Sequence, residues 1–194
     1  MASEGNPLVD NEFPIQKGVT MTFLENPKRI HVHALGTEAF QVPPHWHAAH
    51  DERHTVLKGR IEITQDGISR IVRPEDGVVI TPRGVVHSLR GFVGEEAIVE
   101  ESTLPSETTT EQKQIFFRNM CAPGMLPRPS FLAIMQVFYY GDSYPAFPRG
   151  FRWLETSFVV LVGGYLAPLF GHQLPDKRLK MDERRFPPSD SKKD

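Results

Sequence analysis

At 194 residues the chain fits one domain, or one domain with an appendage. It is 39% hydrophobic and 24% charged, an ordinary soluble-globular balance, and its net charge of −2 gives no basic face for nucleic acid. The single cysteine, Cys121, excludes an intrachain disulfide and suits a reducing compartment. Residues 1–13 carry neither a basic n-region nor an apolar h-region, so no signal peptide is expected and the cytoplasm is the expected location.

Residues 1–16 read as a polar, loop-like N-terminal arm, with Phe13 and Ile15 as anchors. A barrel is expected over 17–105. Val19 to Leu24 reads as a strand, Asn26-Pro27 as a turn, and Arg29 to Leu35 as a second strand bearing His31 and His33 on one face. Phe40 to His47 is the next strand, bent by Pro43-Pro44 at its start. His54 to Lys58 and Arg60 to Thr64 are strands around Gly59. Gln65-Asp66-Gly67 is a hairpin turn, because Asp-Gly accepts positive φ cheaply. Ile68 to Arg73, Val78 to Thr81, Val85 to Leu89 and Ala97 to Ser102 complete the set. Short strands with turns every ~8–12 residues indicate an all-β barrel or sandwich, and 17 prolines favour strands and loops over long helices.

The chemistry concentrates in Pro44 to Gly59 and in Pro82 to His87. His45 and His47 stand two apart on a strand, so both imidazoles face the same side, with Trp46 opposite. A short turn returns the Glu52 carboxylate to that pair, and His87 comes from a distant strand to close the set. Imidazole with carboxylate suits iron, zinc, copper, nickel or manganese. The absence of thiolate argues against a structural zinc site. The alternative is that these are ordinary barrel histidines without an ion. His31 and His33 lack a following Glu and a distant partner, and read as pocket wall or surface. Strand phase points His54 and Val56 inward with Glu52, and Val85 and Leu89 inward with His87. The pocket is then mostly apolar. His54 is its spare titratable group, and it reads as a ligand-orienting residue, a general base, or a half-exposed barrel histidine.

This arrangement resembles the cupin family. His45, His47, Glu52 and Gly59 match the first cupin motif, and Pro82, Gly84 and His87 match the second. Ala39, Asp76-Gly77 and Gly91 depart from the pattern, all at turn or loop positions. The resemblance implies a jelly-roll barrel with the ion inside and one open mouth. The metal ligands it implies are His45, His47, Glu52 and His87, with Fe(2+) as the default for oxygen chemistry and Zn, Mn or Ni as alternatives.

Beyond Ser102 the character changes, and 106–181 reads as a helical, apolar extension. Ser106 to Met120 is an amphipathic helix stopped by Ala122-Pro123-Gly124. Phe131 to Tyr140 is apolar, Tyr144 to Gly150 is a Pro-bearing loop, and Phe158 to Phe170 has no charge. Phe151 to Gly171 is marginal for a membrane span, and Gly163-Gly164 and Pro168 weaken it further. It reads first as a helix buried on the barrel or in a homodimer interface, and second as a membrane-surface hairpin formed with Phe131 to Tyr140. In that second reading Arg149, Arg152, Lys177, Arg178 and Lys180 face anionic headgroups. The charged tail, 182–194, reads as disordered. A small cupin barrel with such a tail resembles the cupin-domain oxidoreductases of fungal polyketide gene clusters, of the salicylaldehyde and alkyl-benzaldehyde type. That implies a small-molecule substrate and a role in tailoring a polyketide intermediate. A non-redox Lewis-acid isomerase, dehydratase or cyclase, and a non-catalytic binding module, remain open.

Overall fold

The computed structural model describes residues 5–125, 130–148 and 150–180. The tail at 182–194 and Arg149 lie outside the described residues. Strands β1 (Glu12–Gln16), β2 (Val19–Glu25), β3 (Lys28–Ala34), β4 (Gln41–Trp46), β5 (Asp51–Lys58) and β6 (Ile61–Gln65) come first. They are followed by β7 (Ile68–Val72), β8 (Val78–Thr81), β9 (His87–Arg90), β10 (Ala97–Leu104) and the short β11 (Tyr144–Pro145). They form a six-stranded sheet in the order β1-β2-β3-β10-β5-β8 and a five-stranded sheet in the order β11-β4-β9-β6-β7. Every pairing is antiparallel. Two antiparallel sheets in this order form the jelly roll that the motif resemblance implies.

Alternation along the strands builds the core. In β3, Ile30, Val32 and Ala34 are buried while His31 and His33 face outward. His31 meets Glu100 at 3.0 Å and His33 meets Glu96 at 2.8 Å, so this second HxH pair is surface, paired with carboxylates. Ile61, Ile63, Val56 and Val72 fill the space between the sheets. The Asp66-Gly67 turn has φ 45° and 82°, as the hairpin between β6 and β7 requires. Gly59 has φ 71°, and a Cβ there would fall on the Glu96 carbonyl, so the motif glycine serves a close backbone approach.

Two local expectations change. Glu12–Gln16, read as part of a loop-like arm, is an edge strand on β2, and Phe13 is 1% exposed in the core. Pro14 is tolerated there because β1 is an edge. Val85 and Val86, read as strand, precede β9, and Val85 is only partly buried.

The helical extension begins with α1 (Glu107–Met120), capped by Ser106 accepting from Thr109 N. It packs on β10 and β3 and is followed by α2 (Phe131–Tyr140) and α3 (Arg152–Val159). α3 continues through a π-helical segment, Val160–Leu166, into α4 (Ala167–Leu169). The Gly163-Gly164 pair does not interrupt this helix. A Cβ at Gly163 would fall on the Met135 carbonyl and one at Gly164 on the Tyr139 ring, so the pair lets the π-helical segment lie directly on α2. The inner face, with Val159, Val162 and Ala167, is buried. The outer face exposes Trp153, Leu161, Tyr165 and Leu169. Among the described residues, no helix is long and apolar enough to cross a membrane.

Candidate metal centre

β4 and β9 bring the first ligands together. His45 is the direct cross-strand partner of His87, after an irregularity between Val42 and His45 that contains Pro43-Pro44. Their ring centroids are 4.2 Å apart. His47 lies just beyond the end of β4, its backbone oxygen accepting from Gly84 N of the second motif at 2.7 Å. Glu52 reaches in from β5 of the opposite sheet. Its Oε1 is 2.9 Å from His47 Nε2 and its Oε2 is 2.7 Å from His87 Nε2. One ligand atom from each of His45, His47, Glu52 and His87 lies within 4.8 Å of the others. The structure therefore brings together all four residues singled out by spacing.

The imidazoles are oriented for a cation. His45 Nδ1 faces the Pro43 carbonyl at 2.9 Å, His47 Nδ1 the Asp142 carbonyl at 2.6 Å, and His87 Nδ1 the Val85 carbonyl at 3.1 Å. A carbonyl only accepts, so Nδ1 donates in each case and Nε2 is the nitrogen left to ligate. Burial, then the charge of His87, lowers His45 to about 3, and burial and Lys113 hold His47 well below its usual value. Burial also works to lower His87, but the Glu52 charge and hydrogen bond overcome it and raise the group. Burial works to raise Glu52, but Lys113, His47 and His87 hold it well below the usual carboxylate range. An anionic carboxylate facing three Nε2 atoms is a donor set that fits a divalent ion.

Three residues of the site escape sequence reasoning. Lys113 of α1 places Nζ 2.5 Å from Glu52 Oε1 and 3.4 Å from His47 Nε2. Burial works to lower it, but Glu52 and Glu101 overcome this and raise it, so it is an ammonium. Glu101 of β10 is the cross-strand partner of His54 and lies 3.7 Å from Lys113. Burial, then the Glu52 charge, pushes its carboxyl up to about 7. Asp142, with φ 53°, accepts from Ala48 N and Ala49 N at 3.1 and 2.7 Å and meets His50 Nδ1 at 3.0 Å. It thereby pins the turn between His47 and Glu52.

His54 is 1% exposed, not half-exposed, with Nε2 3.7 Å from Glu52 and 3.9 Å from Glu101. Burial lowers it to about 4, so it is neutral near pH 7. His54 Nδ1 and Glu101 Oε1 are buried with no hydrogen-bond partner among the described residues. Both residues border a cavity of about 440 Å³ that also takes in His45, Glu52 and Lys113. The rest of its wall is largely apolar, from Val32, Val42, Leu89 and Val99 of the barrel and Phe116, Phe117, Met120 and Phe138 of the helices. Leu89 and Val56 both face inward as strand phase predicts, Leu89 into the cavity wall and Val56 into the core, whereas Val85 precedes β9 and contributes its carbonyl to His87.

No protein-family model matches the chain. Among curated proteins, an oxidoreductase named OpS7 from Beauveria bassiana is 44% identical over 166 residues, covering 68% of this chain and 54% of its own length. A probable oxidoreductase named patJ from Penicillium expansum is 28% identical over 144 residues, covering 68% of this chain and 43% of its own. The chain spans about half the length of the curated relatives it matches. Among solved structures, KdgF from Halomonas sp. superposes with a TM-score of 0.41 at 17% identity, over 50% of this chain and 88% of that one. An RmlC-like cupin from Shewanella frigidimarina gives 0.41 at 15% identity, over 55% of this chain and 93% of that one.

Proposed function

We propose that this chain is a metal-dependent oxidoreductase that tailors a small aromatic or alkyl intermediate of polyketide type in secondary-metabolite biosynthesis. The observation that carries the reading is one buried cluster of three Nε2 atoms and a carboxylate opening on a largely apolar cavity. The oxidoreductase names of OpS7 and patJ support the redox class. His45, His47, Glu52 and His87 would hold the metal, with iron(II) the favoured ion. When bound, the ion would supply Lewis-acid and one-electron redox chemistry at the head of the cavity.

The chain's own residues do the rest. Phe116, Phe117, Met120 and Phe138 exclude water from the cavity and hold the apolar part of the substrate. His54, neutral at pH 7, accepts a proton, and Glu101, titrating near 7, holds or releases one beside it. That pair of proton-carrying groups also favours a second reading, a Lewis-acid isomerase or dehydratase without electron transfer.

Dioxygen uptake by iron(II)-loaded protein tests the choice, using a panel of hydroxymethyl- and formyl-substituted phenols. Substrate-dependent uptake is expected. Turnover that continues undiminished under strict anaerobiosis would replace the oxygen-dependent reading with the non-redox one.

A further inference from the structure

Lys113 is a charged group at the centre that neither ligates nor moves a proton in the proposed chemistry. Its side chain is 5% exposed and enters from α1, outside the barrel. Nζ sits 5.3 and 5.6 Å from the ring centroids of Phe116 and Phe117, which join it in the cavity wall. The lysine therefore stands where the apolar wall meets the ligand cluster. Such a buried ammonium needs compensation, which Glu52 and Glu101 provide.

That compensation changes when Glu52 also serves a divalent cation. In the cavity wall, two positive charges on the ion and one on Lys113 then stand against at most the two carboxylates Glu52 and Glu101, because Asp142, which also acts on Lys113, lies outside that wall and is taken up by Ala48 N, Ala49 N and His50. At least one positive charge is left over at the polar end of a low-dielectric cavity, and such an end selects a negative group. The remainder of the cavity offers no such charge and suits hydrocarbon.

We propose that Lys113 is a substrate-binding residue, which with the metal centre forms a seat for one oxyanion, carboxylate or phenolate, on an otherwise apolar small molecule. The proposal rests on the metal reading above and narrows its substrate class to aromatic or alkyl acids and phenols.

Calorimetric titration without turnover tests it. Zinc-loaded protein is titrated with benzoate and with benzyl alcohol, which share a ring and differ in the oxyanion. The parent should prefer benzoate by about tenfold or more. Lys113→Met should cut that preference to about threefold or less while keeping its zinc, and Lys113→Arg should retain most of it. Lys113→Gln replaces the methionine variant if that one does not fold. An undiminished preference in the neutral variant, or equal binding of both probes by the parent, overturns the proposal. A parent that takes up no zinc would instead sink the metal reading. The lysine seat falls with it, because without the ion Glu52 and Glu101 already neutralise the ammonium.

Discussion

Glu155 couples the helical extension to the ligand strand, and its removal is the most informative perturbation of the fold. The residue is 2% exposed on α3. Its Oε2 accepts from the Trp46 indole at 2.8 Å and its Oε1 from Phe147 N at 2.7 Å. Trp46 sits between His45 and His47 on the opposite face of the strand. It stacks on Tyr144 at 4.3 Å, and the Arg152 guanidinium lies 4.6 Å from its ring. Glu155→Ala leaves the buried indole N–H without an acceptor. A hydrogen bond to a charged group contributes about 1.5–3 kcal/mol, so losing both should cost about 3–6 kcal/mol. A loosened Trp46 also loosens the imidazoles on either side, which should weaken metal binding by about tenfold. Urea unfolding of chelator-treated protein measures the first effect, and competition with a chromophoric zinc chelator measures the second. A stability loss under about 1 kcal/mol with unchanged zinc affinity would refute this coupling.

Asp142→Ala should release the 48–50 turn and lower metal affinity by about 10–100-fold, read by the same chelator competition, with little change in the helices by circular dichroism. Glu101 gives the fold a pH dependence. Its carboxyl is raised from 4.5 to about 7, so the folded chain binds that proton more tightly than the unfolded one. The contribution is fully present below 4.5 and is lost as pH rises through 7. For metal-free protein, Glu101→Gln should therefore gain about 2–3 kcal/mol relative to the parent between pH 5 and pH 8 in urea unfolding, and parallel curves would contradict the burial of that carboxyl. A membrane-surface reading of 151–171 would place lipid on the exposed Trp153, Leu161, Tyr165 and Leu169 face, and it makes one prediction. Phosphatidylserine vesicles should float the parent but not a Leu161→Lys, Leu169→Lys double variant, and a parent that stays at the bottom of the gradient rejects lipid contact.

The ligand set was legible because strand geometry is simple. A period of two puts His45 and His47 on one face, and the two motifs name Glu52 and His87 as their partners. What stayed hidden comes from segments that only tertiary structure brings near. Glu101 left one trace, a charged residue in phase with the inward-facing Val99 on β10. Lys113 left another, standing three and four residues before Phe116 and Phe117 on the apolar stripe of α1. Asp142 left only a Gly-Asp turn. Gly163-Gly164 read only as weakening a membrane span, because the cost of glycine in a helix is local whereas the benefit, close approach to α2, is not. Pro14 hid β1 in the same way, since its cost vanishes only once the strand is known to be an edge.

The central claim is a divalent ion held by four side chains from two sheets, and metal stoichiometry of the parent and of His87→Ala tests it most directly. After loading with iron(II) or zinc and desalting, plasma mass spectrometry should find about one ion per chain in the parent and under about a tenth of that in the variant at equal folded fraction. Equal occupancy in the two proteins, or a parent that retains no ion, would contradict the account.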